Sequence, residues 1–332
     1  MLFALLTSAT SAPKLDPVSF EAPPAEPWKP TAVLGATRVE VPGVGPEDVE
    51  VLADGRVVVG VEGGGLLAWD GKSWEELANT GGRPLGMDLA KDGTLVVADA
   101  QAGLLAVSPG GEIEVLATEC GGRPLGFTDD VELGPDGMIY FSDASTKWDQ
   151  GRWKHDLVEA RPNGRLCSYD PLTGEVRELV PQLYFANGVA VDPEGRFVLV
   201  NETSRYRVTK VDLADNSTSV FLDDLPGFND GISSDGDRFW IAVASPRNEL
   251  VDALSDNPRL RGALLRIPEP LQPKPERTGR VIAVDDQGQV VHDLFDPNGR
   301  DIVVVTSVQV RGDRLYMGSL TDEAFAWAPA PD

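Results

Sequence analysis

One unit returns six times along this chain. A short apolar run, a turn built on glycine and a second apolar run begin at Pro46 (PEDVEVLADGRVVVGV), Gly81 (GGRPLGMDLAKDGTLVVADA), Gly121 (GGRPLGFTDDVELGPDGMIYFSDA), Ala186 (ANGVAVDPEGRFVLVNET), Asn229 (NDGISSDGDRFWIAV) and Thr306 (TSVQVRGDRLYMGSL). Each reads as a β-hairpin, with Gly55, Gly93, Gly137, Gly195, Gly236 and Gly312 at the turns. Further short strand candidates lie between them, such as GLLAVSP, GRLCSYDP, YRVTKVDL and VIAVDDQG. A unit of roughly 45 residues then supplies about four strands, the content of a propeller blade. The pattern predicts an all-β chain, a single six-bladed β-propeller over residues 41–330. Two β-sandwiches are the alternative, but one spacing kept through the whole chain favours a closed ring.

Two insertions interrupt the repeat. Residues 144–164 carry Trp148, Trp153 and a short helical pattern; residues 245–275 read as a helix, a break at Pro258, more helix and a proline-rich exit. Long segments on a rigid scaffold often form lids or pocket walls; the alternative is that they pack against the propeller's side. Residues 13–40 are proline-rich and read as an extended linker. Residues 1–12 (MLFALLTSATSA) resemble the tail half of a signal peptide without its positive start, and are too short to span a bilayer. That favours a periplasmic or secreted protein over a cytoplasmic one, with no strong membrane association of the mature chain.

Charge and rare residues narrow the chemistry. The 332 residues include 53 acidic and 29 basic side chains, for a net charge of −24. Such a surface repels nucleic acid and anionic membranes. The two histidines, His155 and His292, are far apart and in no ligand spacing, which argues against zinc or a histidine-driven triad. Cys120 and Cys167 fit either one bridge or two buried thiols. A near-match to a phosphate-binding loop fails at Leu66, where the first glycine belongs. Asn201 and Asn216 match glycosylation sequons, a common chance pattern, and the oligomeric state is left open.

In a propeller the first strand of every blade lines the central channel. The six starts read Glu47, Leu85-Gly86, Asp129, Asn187, Asp230 and Thr306. Three carboxylates aimed at one axis repel each other unless a cation lies between them. Oxygen-only ligands select a hard ion, calcium before zinc or copper. Glu47, Asp129, Asn187 and Asp230 are the candidate metal ligands, although an Asn-Gly or Asp-Gly pair by itself is most often a turn. Asp48 and Asp130 repeat the acid one residue on; they would hold a second ion or, the favoured reading, bond backbone amides of adjacent blades.

The motifs GRPLGM, FTDDVELGPDGMIYFSDAS, LYFANGVAVDPEGRFVLVNETSRYRV, LPGFNDGISS and VTSVQVRGDRLYMGSL closely resemble strictosidine-synthase-like proteins. That group sits in the gluconolactonase, senescence-marker and paraoxonase superfamily. The resemblance runs from about Leu15 to Trp327 and implies a six-bladed propeller, a channel calcium and hydrolysis of lactones or aryl esters. It points to the same four ligands, through PED, FTDD, ANG and FND. Gluconolactonase-like members usually carry asparagine where Asp129 stands, so this site would be more negative. Paraoxonases place a histidine base where Leu85 stands, and true strictosidine synthases use a glutamate where Thr306 stands; neither of those mechanisms is expected here. The base would be a carboxylate, Asp230 first and Asp129 second. Leu85, Trp148, Trp153 and Thr306 would line the pocket of a small ester or lactone.

Overall fold

The computed structural model describes residues 13–24 and 28–331, so the leader-like segment 1–12 lies outside them. Six antiparallel sheets follow one another around a ring. Blade one holds Val49–Val51, Val57–Gly60, Gly65–Trp69 and Trp74–Asn79. The innermost strands of blades two to six are Pro84–Leu89, Thr128–Leu133, Ala186–Val191, Gly227–Ser234 and Val305–Arg311. Every turn glycine expected from the repeat has positive φ, from 64° to 98°. A side chain there would strain the hairpin that joins the first two strands of its blade.

The ring closes by mixing the chain's two ends. Thr37–Glu40 is the outer strand of blade six and pairs antiparallel with Ala324–Pro329. Ala32–Val33 adds in parallel to the outer edge of blade five. The stretch expected to be a linker is therefore built into the propeller, and the fold begins before residue 41. Apolar packing lies between blades: Val58 and Leu66 of blade one meet Met87 and Val97 of blade two, all at most 1 % exposed.

The inner strands share an irregularity that decides where their side chains point. In blades two to six the pairing with the second strand slips across two residues: between Pro84 and Met87, Thr128 and Val131, Ala186 and Val189, Asn229 and Ile232, and Val305 and Val308. A regular strand would send one residue of each pair to either face. The bulge re-aims the strand there, and residues of all five skipped pairs line the channel cavities. Asn187-Gly188 and Asp230-Gly231 are thus strand bulges and not turns. A Cβ on Gly231 would lie 2.6 Å from the Thr306 carbonyl oxygen, so only glycine allows blades five and six to come this close.

A circuit of hydrogen bonds staples neighbouring inner strands. Asp48 Oδ2 accepts from the Met87 amide (2.8 Å), Asp88 Oδ2 from Leu133 (2.8 Å) and Asp130 Oδ2 from Val189 (2.7 Å). In each aspartate the other oxygen accepts from the next residue's own amide. Asn201 Nδ2 donates to the Asp230 carbonyl, Ser233 Oγ to Val308, and Thr306 Oγ1 to Glu47. These bonds join all six blade interfaces. Asn201 is fully buried in this role, so its sequon does not present an accessible amide.

The insertions form helices on one end of the ring: α1 (Trp153–Glu159), α2 (Glu249–Ala253) and α3 (Pro258–Ala263). Pro258 begins α3, where its missing N–H costs nothing. Cys120 and Cys167 form a disulfide that ties the small hairpin Glu119–Cys120 and Arg123–Pro124 to blade three. Among the described residues no helix is long and apolar enough to cross a membrane.

Candidate active site

The helical insertions wall a cavity of about 170 Å3 whose floor is the upper end of the channel. Glu47, Asp129, Asn187, Asp230 and Thr306 line it from below, joined by Leu85. Five blades thus bring the expected oxygen donors and Thr306 together, and the remaining blade contributes Leu85. Burial raises the Glu47 carboxyl well above its usual range, and Asp230, Asp48 and Asp129 add to the shift. Asp129 is also raised well above its usual range by burial, then by Asp230 and Asp130. Burial pushes Asp230 up to about 7, while a side-chain hydrogen bond with Asn187 pulls the other way. Asp129 Oδ2 is buried without a hydrogen-bond partner among the described residues.

Whether these groups suit a cation has two parts. Chemically they do: the donors are all oxygens, they repel one another, and one carboxylate oxygen is orphaned. Spatially the expected convergence on one ion is not reached. Among the described residues no three His, Cys, Asp or Glu side chains are grouped closely enough to hold a metal.

Arg83 is the charge that sequence reasoning missed. It is 3 % exposed, and its Nη2 donates to the Gly45 carbonyl (2.9 Å) while Nε and Nη1 have no partner. Its positive charge opposes the upward shifts of Glu47 and Asp129. It stands two residues before Leu85, and the same place in other blades holds Phe127, Phe185, Phe228 and Val304, all walls of the cavity. The spacing F-x-D or F-x-N in FTD, FAN and FND was the available signal.

The expected pocket tryptophans divide. Trp153 of α1 lines the cavity. Trp148 does not: it is 2 % exposed, its Nε1 donates to Glu159 Oε2 (2.7 Å), and it packs on the His155 ring at 4.9 Å. An indole N–H needs an acceptor when buried, and Glu159 supplies it away from the pocket. Neither histidine lines the cavity; His292 stacks on Trp240 in blade five.

Comparison with known proteins places this architecture. Residues 129–216 match the family model for strictosidine synthase, and residues 30–69 match that for the N-terminal part of strictosidine synthase-like proteins. Adipocyte plasma membrane-associated protein from Salmo salar is 32 % identical over 306 residues, covering 83 % of this chain and 73 % of that protein. The chain belongs to the strictosidine synthase-like family. Solved propellers share the fold of this strictosidine synthase-like chain at low identity. A gluconolactonase from Xanthomonas campestris aligns at a TM-score of 0.61 and 14 % identity, over 93 % of this chain and 99 % of its own. The calcium-binding protein regucalcin from Agrobacterium tumefaciens aligns at 0.59 and 16 %, over 89 % and 94 %.

Proposed function

We propose that this family member is a calcium-dependent hydrolase of apolar lactones or aryl esters. The observation that carries the reading is a row of oxygen side chains, one with an orphaned carboxylate oxygen, at the floor of an apolar cavity. Gluconolactonase and calcium-binding propellers of the same fold support it. Glu47, Asp129, Asn187 and Asp230 would hold the ion, which when bound supplies polarisation of the substrate carbonyl and stabilisation of its developing negative charge. The apolar walls, Trp153 and Phe127 among them, orient the substrate and exclude bulk water. Asp230 takes a proton from the attacking water; the acyl carbon–oxygen bond breaks and the proton passes to the departing oxygen. Asp129 is the second candidate base. Thr306 Oγ1 is engaged with the Glu47 carbonyl and is given no chemistry, so strictosidine condensation is not proposed.

A second reading is a binding propeller that uses calcium for integrity alone. It is favoured by the absence of either histidine from the cavity lining and by the bond that already engages Asp230 with Asn187. Turnover of phenyl acetate and a γ-lactone, with and without chelator, separates the two. At saturating calcium Asp230→Asn should lose about 10²–10⁴ in kcat, the usual worth of a general base. Glu47→Gln should instead weaken calcium affinity and recover activity as calcium is added. Hydrolysis indifferent to chelator would remove calcium from the chemistry, and hydrolysis absent from the parent protein would leave the binding reading in place.

A further inference from the structure

The segment ahead of the propeller runs along both insertions as a strap. The Val18 amide donates to the Glu159 carbonyl and the Phe20 amide to the Ser255 carbonyl, both at 3.0 Å. Glu159 Oε1 accepts from the Asp16 amide (2.7 Å), and Arg161 holds Asp16 through both its carbonyl and its carboxylate (2.8 and 2.6 Å). From the second insertion, fully buried Arg261 reaches the Val18, Val158 and Ser255 carbonyls. Arg247 reaches the Pro23 carbonyl at 2.5 Å. The strap is thereby fastened to both insertions, and it lies ahead of the first residue matched by the family models.

Phe20 is the strap's one contribution to the cavity wall. Two guanidinium groups lie against its ring, Arg205 at 4.4 Å and Arg261 at 5.0 Å from its centroid. Cation–π contacts on a partly buried ring hold it in one orientation. The strap joins insertions that roof the cavity, while the oxygen donors form its floor. A ligand whose carbonyl lies at the floor would run its apolar tail toward the roof, which Phe20 helps to wall.

We infer that Phe20 is a specificity-determining residue that limits the length of the apolar chain this cavity accepts. The inference rests on reading the cavity as the substrate pocket. Each methylene buried short of the ring should tighten binding by about three- to fourfold, and each one beyond it should add nothing. Removing the ring should move that stopping point outward; enlarging it should move it inward.

The test uses the full chain and γ-alkyl lactones from ethyl to dodecyl. Dissociation constants come from calorimetry, and kcat/KM is measured wherever hydrolysis occurs. Affinity should rise with chain length and then level off. In Phe20→Ala the plateau should begin about three methylenes later, with the longest lactones bound roughly 30- to 60-fold more tightly than by the parent. In Phe20→Trp it should begin earlier. Should Phe20→Ala melt early, Phe20→Leu and Phe20→Trp carry the comparison. An unchanged length profile in folded variants overturns the inference, even if hydrolysis persists and the hydrolase reading stands. A shifted binding profile with no turnover in any form sustains the inference while the hydrolase reading falls. No lactone binding by the parent protein overturns the inference and leaves only the aryl-ester half of the hydrolase reading.

Discussion

Two neighbouring rows of carboxylates line the same channel, and they do different work. In the lower row, Asp48 and Asp130 each accept one amide from the next blade and one from their own strand, and Asp88, two residues further along its strand, makes the same pair of bonds. In the upper row, Asp129 has an orphaned oxygen, and burial raises Glu47 and Asp129 with Asp230 adding to both shifts. Asp129 and Asp130 are adjacent in the chain, yet one is left open to the cavity and the other is a staple. Burial alone therefore does not mark a carboxylate as functional. What marks it is a lack of partners that the protein itself supplies.

The largest expected effect comes from pH, and the buried acids outside the upper row give its sign. Asp88 is pushed up to about 7 by burial and then by Glu50, and Asp156 of α1 to about 7 by burial. The folded state therefore keeps protons that the unfolded chain releases near its ordinary carboxylate pKa. Calcium-free protein should be most stable near pH 4, lose stability as pH rises toward 7, and level off above. Urea denaturation across that range measures it, and Asp88→Asn should flatten the slope. A stability that instead rises from pH 4 to 7 would erase the picture of strained buried acids.

The two adjacent aspartates should separate in opposite directions. Asp130→Ala leaves the Val131 and Val189 amides without their acceptor and should cost about 3 kcal/mol. Calcium at a hundredfold excess over its dissociation constant should stabilise the parent protein by about 2.7 kcal/mol. Asp129→Asn should weaken that response, yet stabilise the calcium-free protein by about 1 kcal/mol, because it removes an uncompensated buried charge. Melting curves with and without chelator read all three; equal losses in the two aspartate variants would merge the rows into one. The smallest effect is Thr306→Val, about 1 kcal/mol for its bond to the Glu47 carbonyl, with turnover unchanged.

Much of this was legible beforehand because a propeller writes its architecture as a period. The six hairpins, their turn glycines and the residues that open each inner strand all follow from the repeat, as does the preference for Asp48 and Asp130 as amide acceptors. The strap was not legible. Nothing local in residues 13–24 announces that Phe20 will sit against Arg205 and Arg261, since those arginines come from remote parts of the chain. Trp148 was misplaced for a related reason: its burial depends on Glu159, which only α1 brings beneath it.

The string GGRPLG, which occurs twice, divides what sequence determined from what folding decided. At residues 81–86 it leads into the inner strand of blade two, and Arg83 is 3 % exposed behind the acid row. At 121–126 it forms part of the small hairpin beside the Cys120–Cys167 bridge, where Arg123 is exposed and pairs with Glu178 at 2.7 Å. Periodicity and turn chemistry act over a few residues, so the sequence by itself determined the number of blades, their hairpins and the row of oxygen donors. Burial, partner and charge balance are set by what the ring brings alongside, so only the tertiary structure decided which arginine faces the acids and which acids were left without a partner.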